Sequence, residues 1–294
     1  MNVPAPFRLD RRALARAFDR ASARYDAHAQ LQAQVREELL SRLPFFKLAP
    51  QRILDLGCGT GEGAAALRRQ FRRAETLALD LAPGMLTQAR RRSRLWRRFA
   101  RVCADAAALP LASGRFDLVF SSLMLQWCEE PQAVFAEIAR VLRPGGLLLF
   151  STLGPQTLEE LRAAWRAVDA TPHVSEFIDL PQLSVAIGHA GLAEPVLDTD
   201  QLVRHYADPL ALMHELKGLG ARNAASDRRR GLLGRGALRT LTATYETQRT
   251  PAGIPATFEI IYGAAFGSQP PAQALSGETL VPISAVRPAR RSSP

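Results

Sequence analysis

The segment RILDLGCGTGEGAAAL, Arg52 to Leu67, constrains the fold more than any other part of the chain. Ile53–Leu56 is a short apolar run that reads as a buried strand. Gly57 to Gly61 break it, and Ala64 to Leu67 continue as a helix. A strand that ends in glycines and turns into a helix N-terminus makes a cradle for a nucleotide-like ligand. Glycine lets the ligand approach the backbone, and the free N–H groups of the first helical turn face it. Gly59-Thr60-Gly61-Glu62-Gly63-Ala64 also satisfies the dinucleotide pattern G-x-G-x-x-G/A, so the glycines alone leave the ligand open.

The rest of the chain extends this strand–helix unit. Leu9 to Leu43 carries apolar residues at helical spacing, with a break near Tyr25, and is closed by Pro44 and Pro50. From Arg52, five strand patterns alternate with helices: RILDLG, ETLALD, ARVCAD, RFDLVFSS and PGGLLLFST. That alternation predicts an α/β fold, a doubly wound and mostly parallel sheet covered on both faces. After Thr152 the rhythm changes to further helices, a sixth strand in EPVLDTDQLVRHYA and a late strand at Ala256–Phe266. The expected organisation is an N-terminal helical cap over 1–50, a main domain over 51–267 and a flexible Pro/Ser/Ala-rich tail over 268–294. Within the main domain, the segments 154–178 and 207–249 interrupt the sheet rhythm and are expected to form a helical lid.

Composition narrows the setting. No apolar stretch among the 294 residues approaches the ~20 needed to span a bilayer, and MNVPAPFRLDRR has no secretory apolar region. Three cysteines make neither a disulfide framework nor a zinc pattern, so the expected setting is soluble, reducing and cytoplasmic. The formal charge is +10, and Lys47 and Lys217 are the only lysines. Arginine clusters in RRQFRR (Arg68–Arg73), ARRRSRLWRRFAR (Ala89–Arg101) and DRRR (Asp227–Arg230). Such clusters are either solvated helix faces or surfaces for an anionic partner.

Three acids fall at strand ends, where ligands of open α/β sheets sit: Asp55, Asp80 and Asp105. Asp80 lies at the offset of a carboxylate that grips ribose hydroxyls. Asp55, just before the glycine turn, would repel a pyrophosphate and suits a ligand with positive charge. S-adenosylmethionine carries an ammonium and a sulfonium and no phosphate. Asp105, followed by Ala106, can accept from an adenine amine.

ILDLGCGTG, LALDLAPGMLTQA, CADAAALPLASGRFDLVFSS and VLRPGGLLLFST together resemble, in order, the motifs of class I S-adenosylmethionine-dependent methyltransferases. The resemblance covers about Arg52 to Thr152 and implies a seven-stranded, Rossmann-like sheet. It also implies donor binding by Asp55, Gly57, Gly59, Gly61, Asp80 and Asp105, with Met85 packing on the adenine. Strand four leads into SSLMLQWCEEP, which lacks both an Asn/Asp-Pro-Pro-aromatic motif for amines and a Pro-Cys motif for cytosine. Gln126 and Trp127 sit where donor would meet acceptor.

A longer set of blocks is similar to the malonyl-[acyl-carrier protein] O-methyltransferase family of biotin synthesis: FDRASARYDAHAQLQ, STLGPQTLEELR, HVSEFIDLPQL, ELKGLGARNA, GLLGR and PATFEIIYG. This resemblance implies methyl transfer to the free carboxylate of a malonyl thioester on acyl-carrier protein, or malonyl-CoA. YGAAF departs from that family's YGHAW ending. The late blocks also resemble methyltransferase-like assembly factors of respiratory complex I, which act on protein arginine. The arginine excess leaves an RNA methyltransferase as the further alternative, though no RNA-binding module is appended. A carboxylate acceptor is already ionised at neutral pH, so no general base is needed, and the five histidines form no acid–base pattern. A buried carboxylate does need a cation or hydroxyl donors. Lys217 and Tyr25 are the candidates, Tyr25 because the N-terminal segment folds over the donor in this family. An acidic carrier protein would dock on a basic surface, for which Arg222, Arg228, Arg229, Arg230 and Arg235 are the candidates.

Overall fold

The computed structural model describes residues 10–93, 98–169, 171, 173–221 and 234–268. The N-terminal segment is three helices, α1 (Arg11–Ala21), α2 (Tyr25–His28) and α3 (Gln30–Ser41). Asp10 caps α1 by accepting from the Ala13 N–H at 2.9 Å, satisfying one of the unpaired donors of the first turn. The expected break falls at Ser22–Arg24, just before Tyr25.

The alternating core follows as β1 (Arg52–Leu56), α4 (Glu62–Gln70), β2 (Glu75–Asp80), α5 (Pro83–Arg92), β3 (Ala100–Cys103), β4 (Phe116–Ser122), α6 (Pro131–Val141) and β5 (Leu142–Leu153). Next come α7 (Glu159–Arg166), α8 (Leu180–His189), β6 (Leu192–Tyr206), α9 (Pro209–Gly218), α10 (Arg235–Glu246) and β7 (Ile254–Gly267). The seven strands form one sheet in the order β3-β2-β1-β4-β5-β7-β6. β1 to β5 are mutually parallel, while β7 runs antiparallel to both β5 and β6. The last strand of the chain thus lies inside the sheet and the sixth lies at its edge. The late strand reads from sequence as Ala256–Phe266 and extends slightly at both ends.

The strands are apolar on both faces because both faces are covered. Ile53, Leu118, Phe120, Leu147 and Leu149 point into a core shared with α3, α7, α9 and α10. Their neighbours Leu54, Val119, Leu148 and Phe150 point into a second core with α6 and α8. No described helix is long and apolar enough to cross a membrane.

Asp117 fastens the middle of this sheet. One oxygen accepts from the Gln51 and Arg52 N–H groups at 2.7 Å each, and the other meets Arg143 Nε at 2.7 Å. The carboxylate is buried and joins the start of β1 to β4 and β5. Asp117→Ala would leave two backbone donors without an acceptor, a cost of about 3 kcal/mol, whereas Asp117→Asn keeps one acceptor and costs less. Urea denaturation checks this: the unfolding midpoint should fall most for the alanine variant, with an unchanged slope.

Candidate functional site

The chain leaves β1 through residues that require glycine. Gly57, Gly59 and Gly61 all have positive φ, at 74°, 52° and 84°. At Gly57 an added Cβ would lie 2.2 Å from Met124 Cγ, and at Gly61 it would lie 2.9 Å from the Ala89 Cα. The turn is therefore pressed against the loop after β4 on one side and against α5 on the other. Its backbone is held by the end of β2, where Leu79 O accepts from the Gly57 and Cys58 N–H groups at 2.8 and 2.9 Å.

Asp80, at the end of β2, accepts from the Gly59 N–H and the Ala82 N–H, both at 2.8 Å. Burial raises its pKa, and those two hydrogen bonds oppose the shift. Asp105 accepts from the Ala107 N–H at 2.9 Å and pairs with Arg11 of α1 at 2.8 Å. Around these groups lies a cavity of about 120 Å³ whose walls include Gly57, Gly59, Asp80, Met85, Asp105 and Ala106.

Asp55 and Gly61, also expected among the ligand-contacting residues, do not line this cavity. Gly61 caps the start of α4. Asp55 is buried beneath the turn, with one oxygen accepting from the Ala64 N–H and Oδ2 without a protein partner among the described residues. Its pKa is raised to about 7, chiefly by desolvation and further by the charge of Asp80, against the Ala64 hydrogen bond.

The roof is α1 and α2. Asp19 accepts from the Gly84 N–H at 2.6 Å, at the N-terminus of α5. Asp26 accepts from the Thr60 hydroxyl at 2.7 Å and pairs with Arg92 at 2.6 Å; Arg92 also pairs with Glu62 at 2.8 Å. Phe18 packs edge-on against Trp127, with ring centroids 5.3 Å apart. Sequence reasoning missed Arg11, Asp19 and Asp26, though their polar identity on otherwise apolar-faced helices was visible.

A second cavity of about 120 Å³ abuts the first, and Phe18, Tyr25, Leu123 and Trp127 line both. Tyr25 thus stands at the junction, its hydroxyl pKa driven upward by burial and by Asp80 and Asp26. Gln126 lines the second cavity but its amide is engaged, donating to Leu123 O at 2.7 Å and accepting from Thr152 at 3.3 Å. Lys217 is exposed on α9 and lines neither cavity, so its expected place as the buried cation is corrected. Glu215, on the same helix, does line the second cavity and is neutralised by Arg204 at 2.9 Å.

His173 lines this cavity too. Its ring stacks on Trp165 at 3.6 Å, and Nε2 lies 2.8 Å from Asp169 Oδ1. That bond, followed by the Thr171 N–H, lowers the Asp169 pKa. Among the described lining residues, His173 is the one side chain able to carry positive charge into the second cavity. The four-residue steps Trp165, Asp169, His173 were the available signal. Of the expected basic docking residues, Arg235 opens α10 and is exposed, while Arg222, Arg228, Arg229 and Arg230 lie outside the described residues. Ala221, which directly precedes that stretch, lines the second cavity.

A family model described as a methyltransferase domain matches residues 54–150. A malonyl-[acyl-carrier protein] O-methyltransferase from Methylovorus sp. (strain MP688) is 47% identical over 292 residues, covering 97% of each chain. The biotin biosynthesis bifunctional protein BioHC of Cellvibrio japonicus (strain Ueda107) is 42% identical over 258 residues, covering 86% of this chain and 50% of that longer one. Among solved structures, the YcgJ protein from Bacillus subtilis superposes with a TM-score of 0.58 at 16% identity, covering 80% of this chain and 99% of that one. At that identity the likeness shows the fold alone.

The Asp55 pKa carries a stability consequence. Its folded value lies near 7 against 3.8 for the free group, so between these values the folded state binds more protons than the unfolded one. Stability therefore falls as pH rises through this window, and the loss is complete above the folded pKa. Asp55→Asn keeps an acceptor for Ala64 and removes the titration. Its melting temperature relative to the parent should climb between about pH 4 and pH 8 in the absence of ligand, and a pH-independent difference would contradict the assignment.

Proposed function

The chain belongs to the malonyl-[acyl-carrier protein] O-methyltransferase family, and from that premise we propose how its residues divide the work. The protein is an S-adenosylmethionine-dependent methyltransferase that converts the free carboxylate of malonyl-acyl-carrier protein into its methyl ester, a step of biotin synthesis. The observation that carries the assignment of roles is the shared wall of the two cavities, which brings a donor space and an acceptor space together at Tyr25 and Trp127.

The first cavity fits the donor chemically. Its carboxylates suit ribose hydroxyls and an amine, its other walls are apolar at Met85 and Ala106, and nothing lies within 4 Å of where a Gly59 Cβ would be. Asp80 holds the ribose while keeping its two backbone bonds, since each carboxylate oxygen has a second lone pair. Asp105 takes the adenine amine in place of Arg11; that pair is partly exposed, so giving it up costs little. Gly57 and Gly59 give backbone access, and Met85 packs on the base. Asp55 and Gly61 act one layer back, shaping the turn. When bound, the donor would supply a sulfonium methyl group, whose carbon–sulfur bond breaks as the acceptor oxygen bonds to the carbon, the electron pair leaving with the neutral thioether.

The protein's part is to place that oxygen and exclude water. The acceptor enters the second cavity, whose walls include Leu158, Leu161 and Phe177 from one of the expected lid segments and Leu216 and Leu219 from the other. The His173 imidazole, held 2.8 Å from Asp169, faces the carboxylate as a hydrogen-bonding partner, and the Tyr25 hydroxyl donates to it at the wall. Trp127 and Phe18 keep water out. Methylation removes the negative charge, so the product loses its charge-assisted hydrogen bonds and leaves. The acidic carrier protein docks on a basic surface to which the exposed Arg235 contributes.

Intact-mass analysis of malonyl-acyl-carrier protein incubated with the enzyme and S-adenosylmethionine should show a gain of one methylene, and none on acetyl-acyl-carrier protein. His173→Ala should raise the acceptor KM by about tenfold, the worth of one charge-assisted hydrogen bond, with the donor KM unchanged. Lys217→Ala should match the parent in both. Arg235→Glu should raise the KM for malonyl-acyl-carrier protein and leave that for malonyl-CoA unchanged. Equal losses for both substrates would remove Arg235 from the docking surface.

A further inference from the structure

The end of the sheet opposite the two cavities gathers charge that methyl transfer does not use. β3, β2, β1 and β4 are adjacent and parallel, so the residues before each strand converge. Arg52 opens β1, Arg72 and Arg73 precede β2, Arg98 precedes β3, Arg115 precedes β4, and Arg68 reaches in from the last turn of α4. These six arginines line one groove of about 600 Å³. Among the described lining residues the one acid, Glu75, is paired with Arg52 at 3.3 Å. The exposed guanidinium groups of Arg72, Arg73, Arg98 and Arg115 meet no protein acceptor among the described residues.

Two further donors in the same wall are buried and unsatisfied. Arg68 donates through Nη1 to the carbonyls of Arg72 and Ala74, yet its Nε has no partner among the described residues. Thr76, only 5% exposed on β2, has a hydroxyl with none either. Buried donors without acceptors are uncommon and costly, and uncompensated guanidinium groups held together repel one another. A ligand rich in anionic oxygens relieves both.

We propose that this groove is a binding site for a small, multiply phosphorylated anion, separate from the methyl-transfer cavities. Guanidinium forks match phosphate oxygens in pairs, and four free ones exceed what a single carboxylate or sulfate can engage. Phosphate oxygens also accept from the Thr76 hydroxyl and Arg68 Nε. Among the described lining residues the one aromatic side chain, Phe116, is 7% exposed and offers no stacking face for a base. The acyl-carrier protein does not account for the groove either, since its malonyl group must enter at the other end of the strands.

The test uses the full chain and calorimetric titration with inorganic triphosphate at about 150 mM salt, where diffuse surface attraction is screened. The expected result is saturable one-to-one binding. Thr76→Val, which removes a hydroxyl and no charge, should weaken it by about threefold to tenfold, the worth of one hydrogen bond. Arg98→Gln combined with Arg115→Gln should weaken it by more than tenfold. Methyl transfer to malonyl-acyl-carrier protein should be unchanged in all these variants. ATP in a parallel titration separates the sources: equal affinity assigns the site to a phosphate chain, and tighter binding assigns it to a nucleotide. Binding that is unsaturable, or that Thr76→Val leaves untouched, would overturn the proposal in favour of a solvated basic face. Single-stranded RNA binding more tightly than triphosphate, with the same variant sensitivity, would overturn it in favour of a nucleic-acid surface.

Discussion

The Asp80 carboxylate is the joint on which the upper end of the molecule turns. Its oxygens hold the Gly59 N–H and the Ala82 N–H, so one partly buried side chain fixes the glycine turn after β1 against the start of α5. From there the order propagates. α5 begins where Asp19 of α1 takes its Gly84 N–H and ends where Arg92 meets Asp26 of α2. The roof over the first cavity is therefore positioned through the same two segments that Asp80 joins. Burial makes this carboxylate reluctant to ionise, and the two backbone donors restrain that tendency.

Charge is distributed along the strand axis rather than around it. Asp55, Asp80 and Asp105 lie at the carboxyl ends of the first three strands, and the arginines that precede β1 to β4 lie at the other end. Asp80 and Asp105 face the first cavity from that end, whereas Asp55, the carboxylate before the glycine turn, lies buried beneath it. Neither end reflects the net charge of +10, which is a property of the whole chain. The next cavity over has a different balance. Glu215 is spent on Arg204 and Tyr206, which leaves the His173–Asp169 pair to set the local field.

What was legible in the sequence was local. The strand–turn–helix units and the positive-φ glycines are encoded within windows of a few residues, and the first five strands appear where their apolar runs place them. The positions of β6 and β7 were not legible. Placing the last strand between β5 and β6 depends on pairings across about a hundred residues, such as Ser151 with Tyr262, which no short pattern reports. Asp117 was likewise silent, because its value lies in two backbone donors 65 and 66 positions away. Lys217 misled for a different reason. Its rarity is a fact about composition, and rarity does not say which way a side chain faces. His173 was passed over as one of several unpatterned histidines, although its helical-type spacing from Trp165 and Asp169 was present. The family resemblance, by contrast, came from many blocks in fixed order, and the 47% identical relative bears it out.

The way α1 is attached has a bearing on motion. α3 contributes Leu31, Val35 and Leu39 to the main core, whereas α1 contributes Leu14 to a small satellite cluster with Phe18 and Trp127. Lifting α1 away from the sheet therefore sacrifices that cluster and a few partly exposed polar links, and leaves both large cores closed. Segments held in this manner open on their own at free energies well below that of global unfolding. The packing thus divides into two tiers, a sheet tied into two large cores and a first helix tied into a small satellite, whose amide protons are expected to exchange first. Passage into the cavity beneath that helix is governed by the lower tier, so the stability of the protein and the traffic through its roof are separately adjustable.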